Sequence, residues 1–308
     1  MMGYLLVFGA LLGLGVKGYC GKRTSGLAEN YVDALCFSML RMLLCIVIGF
    51  AAVAAEHSLG MLALQPGVLA ICILGGAANA AFLVGWMLTV QHMPLITVDI
   101  TLTIGSLIPA VLCRIFFGEA IIPQKMAGFA LILLASFIMA GYTKQTKGVS
   151  ATGICLLLLT TIGDGLTGFA QQVFVRFYAV GGASAGDVTY PLSIYHLYTY
   201  VFTAVIFLIV WLLLSRRSST PLKFPPACRK ALPFLLVMAA SLFVSGYLQT
   251  AATASYGIPS QVLYPILRGG CLILATVMGL LFFDEQPTRR SITGSLVAMA
   301  GILIMSLV

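Results

Sequence analysis

The sequence predicts an all-α integral membrane protein of ten transmembrane helices, arranged as two inverted five-helix repeats over residues 1–148 and 149–308. Three observations predict it. Of 308 residues 60% are apolar and only 8% are charged, against about 25% charged in an average soluble domain, which is too little charge to wet the surface of a 32.7 kDa globule. Ten mostly apolar stretches follow one another, each about the 20 residues that a bilayer crossing needs. The second half of the chain also repeats motifs of the first.

The ten windows span roughly 2–19, 31–54, 66–89, 95–117, 122–142, 150–175, 189–214, 231–254, 259–283 and 291–308. Spanning segments must satisfy their own backbone hydrogen bonds, and runs this long without the alternation of barrel strands are helices. No charged n-region and no small-residue cleavage site precedes Lys17, so the first window is expected to be a spanning helix rather than a cleaved leader. The longest connection, Ser215 to Lys230, has no room for a soluble domain. Eight cysteines are scattered singly, without CxxC or metal-ligand spacing. They count as small apolar residues, and no metal or cofactor is expected.

The repeat is specific. Phe116-Phe117-Gly118-Glu119, followed by Gly128, returns as Phe282-Phe283-Asp284-Glu285, followed by Gly294, at an offset of 166 that also carries Ile138-Met139 onto Ile304-Met305. Upstream, Gly13, Gly15 and Gly18 match Gly163, Gly165 and Gly168 at an offset of 150. Five helices per copy is an odd number, so the second copy enters the membrane from the opposite side. Such inverted repeats build transporters with a site near the midplane.

The net charge of +8 does not point to nucleic acid, because cytoplasmic loops of membrane proteins collect Lys and Arg. Of 17 basic residues, twelve fall on the side reached after an odd number of crossings. Arg114, Lys125 and Arg176 fall on the other side, and Arg41 and Arg268 lie within helices. By this count both termini lie outside the cytoplasm.

The residues resemble the drug/metabolite transporter superfamily, specifically its ten-helix EamA-like members. The resemblance covers the whole chain and rests on Pro109, Phe-Phe-Gly-Glu119 and Gly128, on Phe-Phe-Asp-Glu285 and Gly294, and on Arg41 near the start of the second helix. The ninth helix departs from the pattern, with Ala275 where Pro109 has its equivalent and a different proline, Pro265, before Arg268. The resemblance implies two EamA-like repeats in the plasma (inner) membrane and a secondary carrier. It implies cytoplasmic termini, opposite to the charge count, and a cavity lined mainly by helices one, three, four, six, eight and nine.

An ionisable group within a spanning segment costs about 2.5–3.5 kcal/mol on insertion scales, so each is a functional candidate. Asp99 and Arg268 are the leading pair, because the offset of 166 places Arg268 one turn from Asp99 on the paired helix. Asp99, Thr103 and Ser106 form one polar stripe, and Gln261, Tyr264, Arg268 and Cys271 another. Asp164 lies between Gly163 and Gly165, where small residues are expected to leave space beside a carboxylate able to exchange a proton or to pair with Lys17. Asn79 and Gln249 lie at the depth of substrate contacts. Lys17 is a candidate substrate or coupling residue whose competing reading is snorkelling at a helix end. Arg114 is expected to snorkel, Arg41 to anchor packing, and Glu119 and Glu285 to cap the helix that follows each. Tyr195, His196 and Tyr198 suit an interfacial belt.

Gly13-Leu-Gly15-Val-Lys-Gly18 reads as GxGxxG, but no strand precedes it, so the dinucleotide fingerprint lacks its context. With Gly9, and with Gly294, Ala298 and Gly301, these glycines suit close helix packing. HExxH and GxSxG are absent, and Thr161-Ile162-Gly163 is not the pattern of an intramembrane aspartyl protease. The expectation is no enzyme. It is a secondary active transporter of a small polar metabolite, an amino acid or another zwitterion or organic anion, with protons as a candidate coupling ion, and a monomer or homodimer. An exporter of cationic drugs or amines is the alternative, and a non-transporting receptor or sensor the alternative of another class.

Overall fold

A computed structural model describes residues 2–25, 27, 31–92, 101–120, 122–140, 151–181, 188–217, 227–282 and 288–306. Among them the helices are α1 (Met2–Ser25), α2 (Tyr31–Ala55), α3 (Pro66–His92), α4 (Leu107–Phe117), α5 (Pro123–Ala140), α6 (Ala151–Tyr178), α7 (Leu192–Arg217), α8 (Ala227–Tyr256), α9 (Ser260–Phe282) and α10 (Arg289–Ser306). Among the described residues seven helices are long and apolar enough to cross a membrane, and the chain is an all-α, multi-pass membrane protein. Leu5, Val47, Ile115 and Leu281 are each more than half exposed on the outside of the bundle, as a hydrocarbon solvent demands.

Helix ends follow local chemistry. Gly118 closes α4 at φ 67°, with its N–H on Arg114 O at 3.1 Å, a left-handed position at which a Cβ is strained. Gly257, at φ 63°, ends α8, and Pro259 two residues later opens the first turn of α9, accepting from Val262 N at 2.9 Å. α1 runs to Ser25, through Lys22 and Arg23, rather than stopping near 19. Both cations lie in its last turn, where they complement the helix dipole, so charge does not mark the end.

α1 lies along α8, α3 along α6, and α5 along α10, while α2 packs on α7 and α8. Glycines set these approaches. A Cβ at Gly128 would fall 2.7 Å from Gly301 O and against Met305, and one at Gly294 would fall 3.1 Å from Ala135 O and against Met139. The two environments exchange under the offset of 166. Likewise Gly15 meets Leu274 and Gly165 meets Ile108, again 166 apart. Gly163 packs against Phe82 N and Ala78 O of α3, so it fills a crossing rather than leaving space beside Asp164.

Candidate functional site

Between these helices lies a cavity of about 150 Å³, lined from α1, α3, α4, α6, α7, α8 and α9. α7 contributes Tyr195, His196, Thr199 and Tyr200, beyond the six helices the family resemblance implies. Seven sequence-predicted residues line it together: Lys17, Asn79, Ser106, Asp164, Gln249, Tyr264 and Arg268. Asp99 and Glu285 lie outside the described residues.

The central contact is an ion pair between Arg268 Nη2 on α9 and Asp164 Oδ2 on α6. Among the described residues the acidic partner of Arg268 is Asp164, because α6 and α9 present these side chains to the same space; the pairing of Arg268 with Asp99 that the sequence pattern offers falls on a residue outside the described ones. The two side chains keep 27% and 17% of their exposure, so the cavity reaches both. Lys17 is two turns inside α1 and lines the cavity instead of snorkelling, since the helix continues past it. It stands within electrostatic reach of Asp164, Arg268 and Arg41.

Thr103 is not part of this lining. It is 1% exposed and takes hydrogen bonds from Ser136 Oγ on α5 at 3.4 Å, to its hydroxyl, and from Ser106 Oγ at 2.6 Å, to its carbonyl. The stripe it shares with Ser106 therefore splits between a helix contact and the cavity. Gln261 also faces elsewhere: its amide donates to Ala120 O at 2.7 Å and accepts from Ile122 N at 3.2 Å, tying α9 to the connection after α4. Glu119 belongs to the same tie. Its carboxylate takes the Ser260 hydroxyl at 2.9 Å, at the start of α9, rather than capping α5. Arg114, exposed in the last turn of α4, donates to Glu119 O at 3.2 Å.

Beyond the ion pair the cavity wall is a hydrogen-bonded network. Tyr264 Oη donates to Gly168 O at 2.7 Å and lies 3.3 Å from Gln171 Oε1, while Gln171 Nε2 donates to Thr250 Oγ1 at 2.7 Å. Thr250 Oγ1 donates to Gly246 O at 2.8 Å. Its single proton is thereby used, so His196 Nε2, 2.8 Å away, is the donor in that contact. Tyr195 stacks on Phe174 with centroids 4.8 Å apart, and both it and His196 are buried. They form an interior wall, not an interfacial belt. Tyr198 donates to Leu62 O at 2.6 Å.

Sequence reasoning missed Gln171 and Thr250. The doublet Gln171-Gln172 inside an apolar window was the available signal, because an amide in hydrocarbon needs partners just as a charge does. Thr250→Val keeps the shape and strands the Gln171 and His196 donors. We expect a loss of about 1–3 kcal/mol, seen as a lowered thermal midpoint in detergent.

A comparison with protein-family models and one with curated proteins each find no match. Among solved structures, one described only as a crystal structure of a protein is similar over 99% of this chain and 96% of its own, with a TM-score of 0.76 at 14% identity. At that identity the likeness is one of fold alone.

Proposed function

We propose that this protein is a secondary active transporter that moves a small polar metabolite across the membrane by alternating access. The observation that carries the reading is the Asp164–Arg268 pair, which places two opposite charges against a cavity inside membrane-spanning helices. Charges at that depth are costly and mark substrate or ion pathways.

Two features support an inverted-repeat carrier of the drug/metabolite transporter type. Cavity residues come from both halves of the chain. The exchanged environments of Gly128 with Gly294, and of Gly15 with Gly165, are what a pseudo-twofold axis relating the halves produces. The ten helices then form two five-helix units that rock about the cavity in the plasma (inner) membrane, as a monomer or homodimer. A carboxylate paired to a guanidinium suits a zwitterion or organic anion, whose binding exchanges one ion pair for another, with a proton on Asp164 as the coupling ion. No chemical transformation is part of this reading.

The test is thermal unfolding of the purified chain against amino acids, organic anions, amines and sugar derivatives, followed by flux of each binder in proteoliposomes. A ligand at a hundredfold excess over its Kd stabilises by about 2.7 kcal/mol, which a melting curve resolves. At least one organic anion or zwitterion is expected to bind and to cross. Binding by amines alone would instead indicate a drug or amine exporter, and binding without flux a receptor.

A further inference from the structure

Among the described residues the charges around the cavity do not balance. Arg268 is met by Asp164. Lys17 lines the cavity, and among the described residues no acceptor takes a hydrogen bond from it. Arg41 on α2 is 8% exposed, and its Nε is buried without a hydrogen-bond partner among the described residues. It lies beside Tyr200, whose side chain is part of the cavity wall, and within electrostatic reach of Lys17. A buried cation without a counter-charge is strongly unfavourable unless something arrives to neutralise it. Arg41, buried, and Lys17, half-buried at the cavity, together call for two negative charges.

Their placement also selects how those charges are carried. Among the described lining residues Lys17 and Arg268 are the only Lys or Arg, and Arg41 adjoins the same cluster. Among the described lining residues no further cation stands apart from this cluster to meet the second charge of a dicarboxylate several bonds away. A phosphate monoester carries about −1.5 to −2 and three acceptor oxygens on one centre. The remainder of the wall offers Asn79 and Gln249, and two buried hydroxyls, Tyr195 Oη and Thr199 Oγ1, that find no hydrogen-bond partner among the described residues. That end suits a short hydroxylated tail, and the volume of about 150 Å³ keeps it short.

We propose that the substrate is a small phosphate monoester, with Lys17 as a direct ligand of its headgroup and Arg41 as the positioning charge beside it. This rests on the transporter reading above and names the substrate class of that cavity. The probes are methyl phosphate, glycerol 3-phosphate, lactate, alanine and glycerol, added to the purified full chain in detergent and read by titration calorimetry and melting. Both phosphate esters are expected to bind and raise the midpoint, while lactate, alanine and glycerol do not. Lys17→Gln and Arg41→Gln each weaken the esters by about tenfold to a hundredfold, the value of a lost charge-assisted contact, and Arg41→Lys restores most of the affinity.

A second readout separates this role from a packing anchor. Arg41→Gln removes an uncompensated buried charge, so the ligand-free midpoint holds or rises, whereas loss of an anchor would lower it. A fall in that midpoint, or unchanged ester affinity in both Gln variants, overturns the assignment of these residues. Binding of lactate or alanine without the esters overturns the dianionic headgroup and leaves the transporter reading standing. Absence of binding and flux for every class of compound overturns both.

Discussion

Arg268→Gln is expected to abolish flux in proteoliposomes and to cost about 3 kcal/mol of stability, whereas Asp164→Asn combined with it recovers much of the stability and none of the flux. The two side chains are mostly buried but still touch the cavity. Removing one partner leaves the other charge uncompensated in a low-dielectric site, which costs about 3–5 kcal/mol when fully buried. The lower end applies to this pair because cavity water screens it. Removing both leaves two neutral groups of similar shape, so the double variant is less destabilised than the sum of the single ones. Stability and transport thereby separate. A double variant that transports at the wild-type rate would show that the pair only holds α6 to α9.

Gly163→Ala and Gly18→Ala should change stability in opposite directions. A Cβ at Gly163 lands 2.6 Å from Phe82 N and 2.9 Å from Ala78 O. Both are backbone atoms of α3 and cannot rotate away, so the helices must part. In the same crossing Gly85 already lies against the Thr160 backbone. Overpacking of this kind costs about 1–3 kcal/mol, and a backbone obstacle places this site at the upper end. It also shifts Asp164, the next residue, and should reduce ligand affinity. Gly18 has no atom within 4 Å of its would-be Cβ. There alanine gains about 0.5–1 kcal/mol of helix propensity. Thermal midpoints of the two purified variants decide it, and an unchanged Gly163→Ala midpoint would mean that α3 and α6 are not held at this distance.

Much of the cavity was legible one residue at a time. Asp164 and Arg268 stand out because charge in an apolar window has an immediate cost, and Asn79 and Gln249 stand out for the same reason at lower cost. Their partners were not legible. Thr103 and Ser106 are three residues apart on one stripe, yet one bonds to α5 and the other lines the cavity. Glu119 recurs at the end of its repeat as a capping residue would, yet its carboxylate reaches Ser260, 141 residues away. For Lys17 the sequence left a cavity role and a snorkelling one side by side, because the charges after it resemble a helix end; the structure places it in the cavity lining.

The sequence by itself determined the helices and the membrane. The cost of placing a residue in hydrocarbon is paid residue by residue, so a run of about 20 apolar residues carries its own instruction. The glycine pattern also determined where helices would approach, since only a missing side chain lets backbones touch. Which charge meets which was decided by the tertiary structure. Each residue turns a helix by about 100°, so a small change in rotation or crossing moves a side chain from one neighbour to another. Arg268 found Asp164 because the packing of α6, α9 and their neighbours set that rotation.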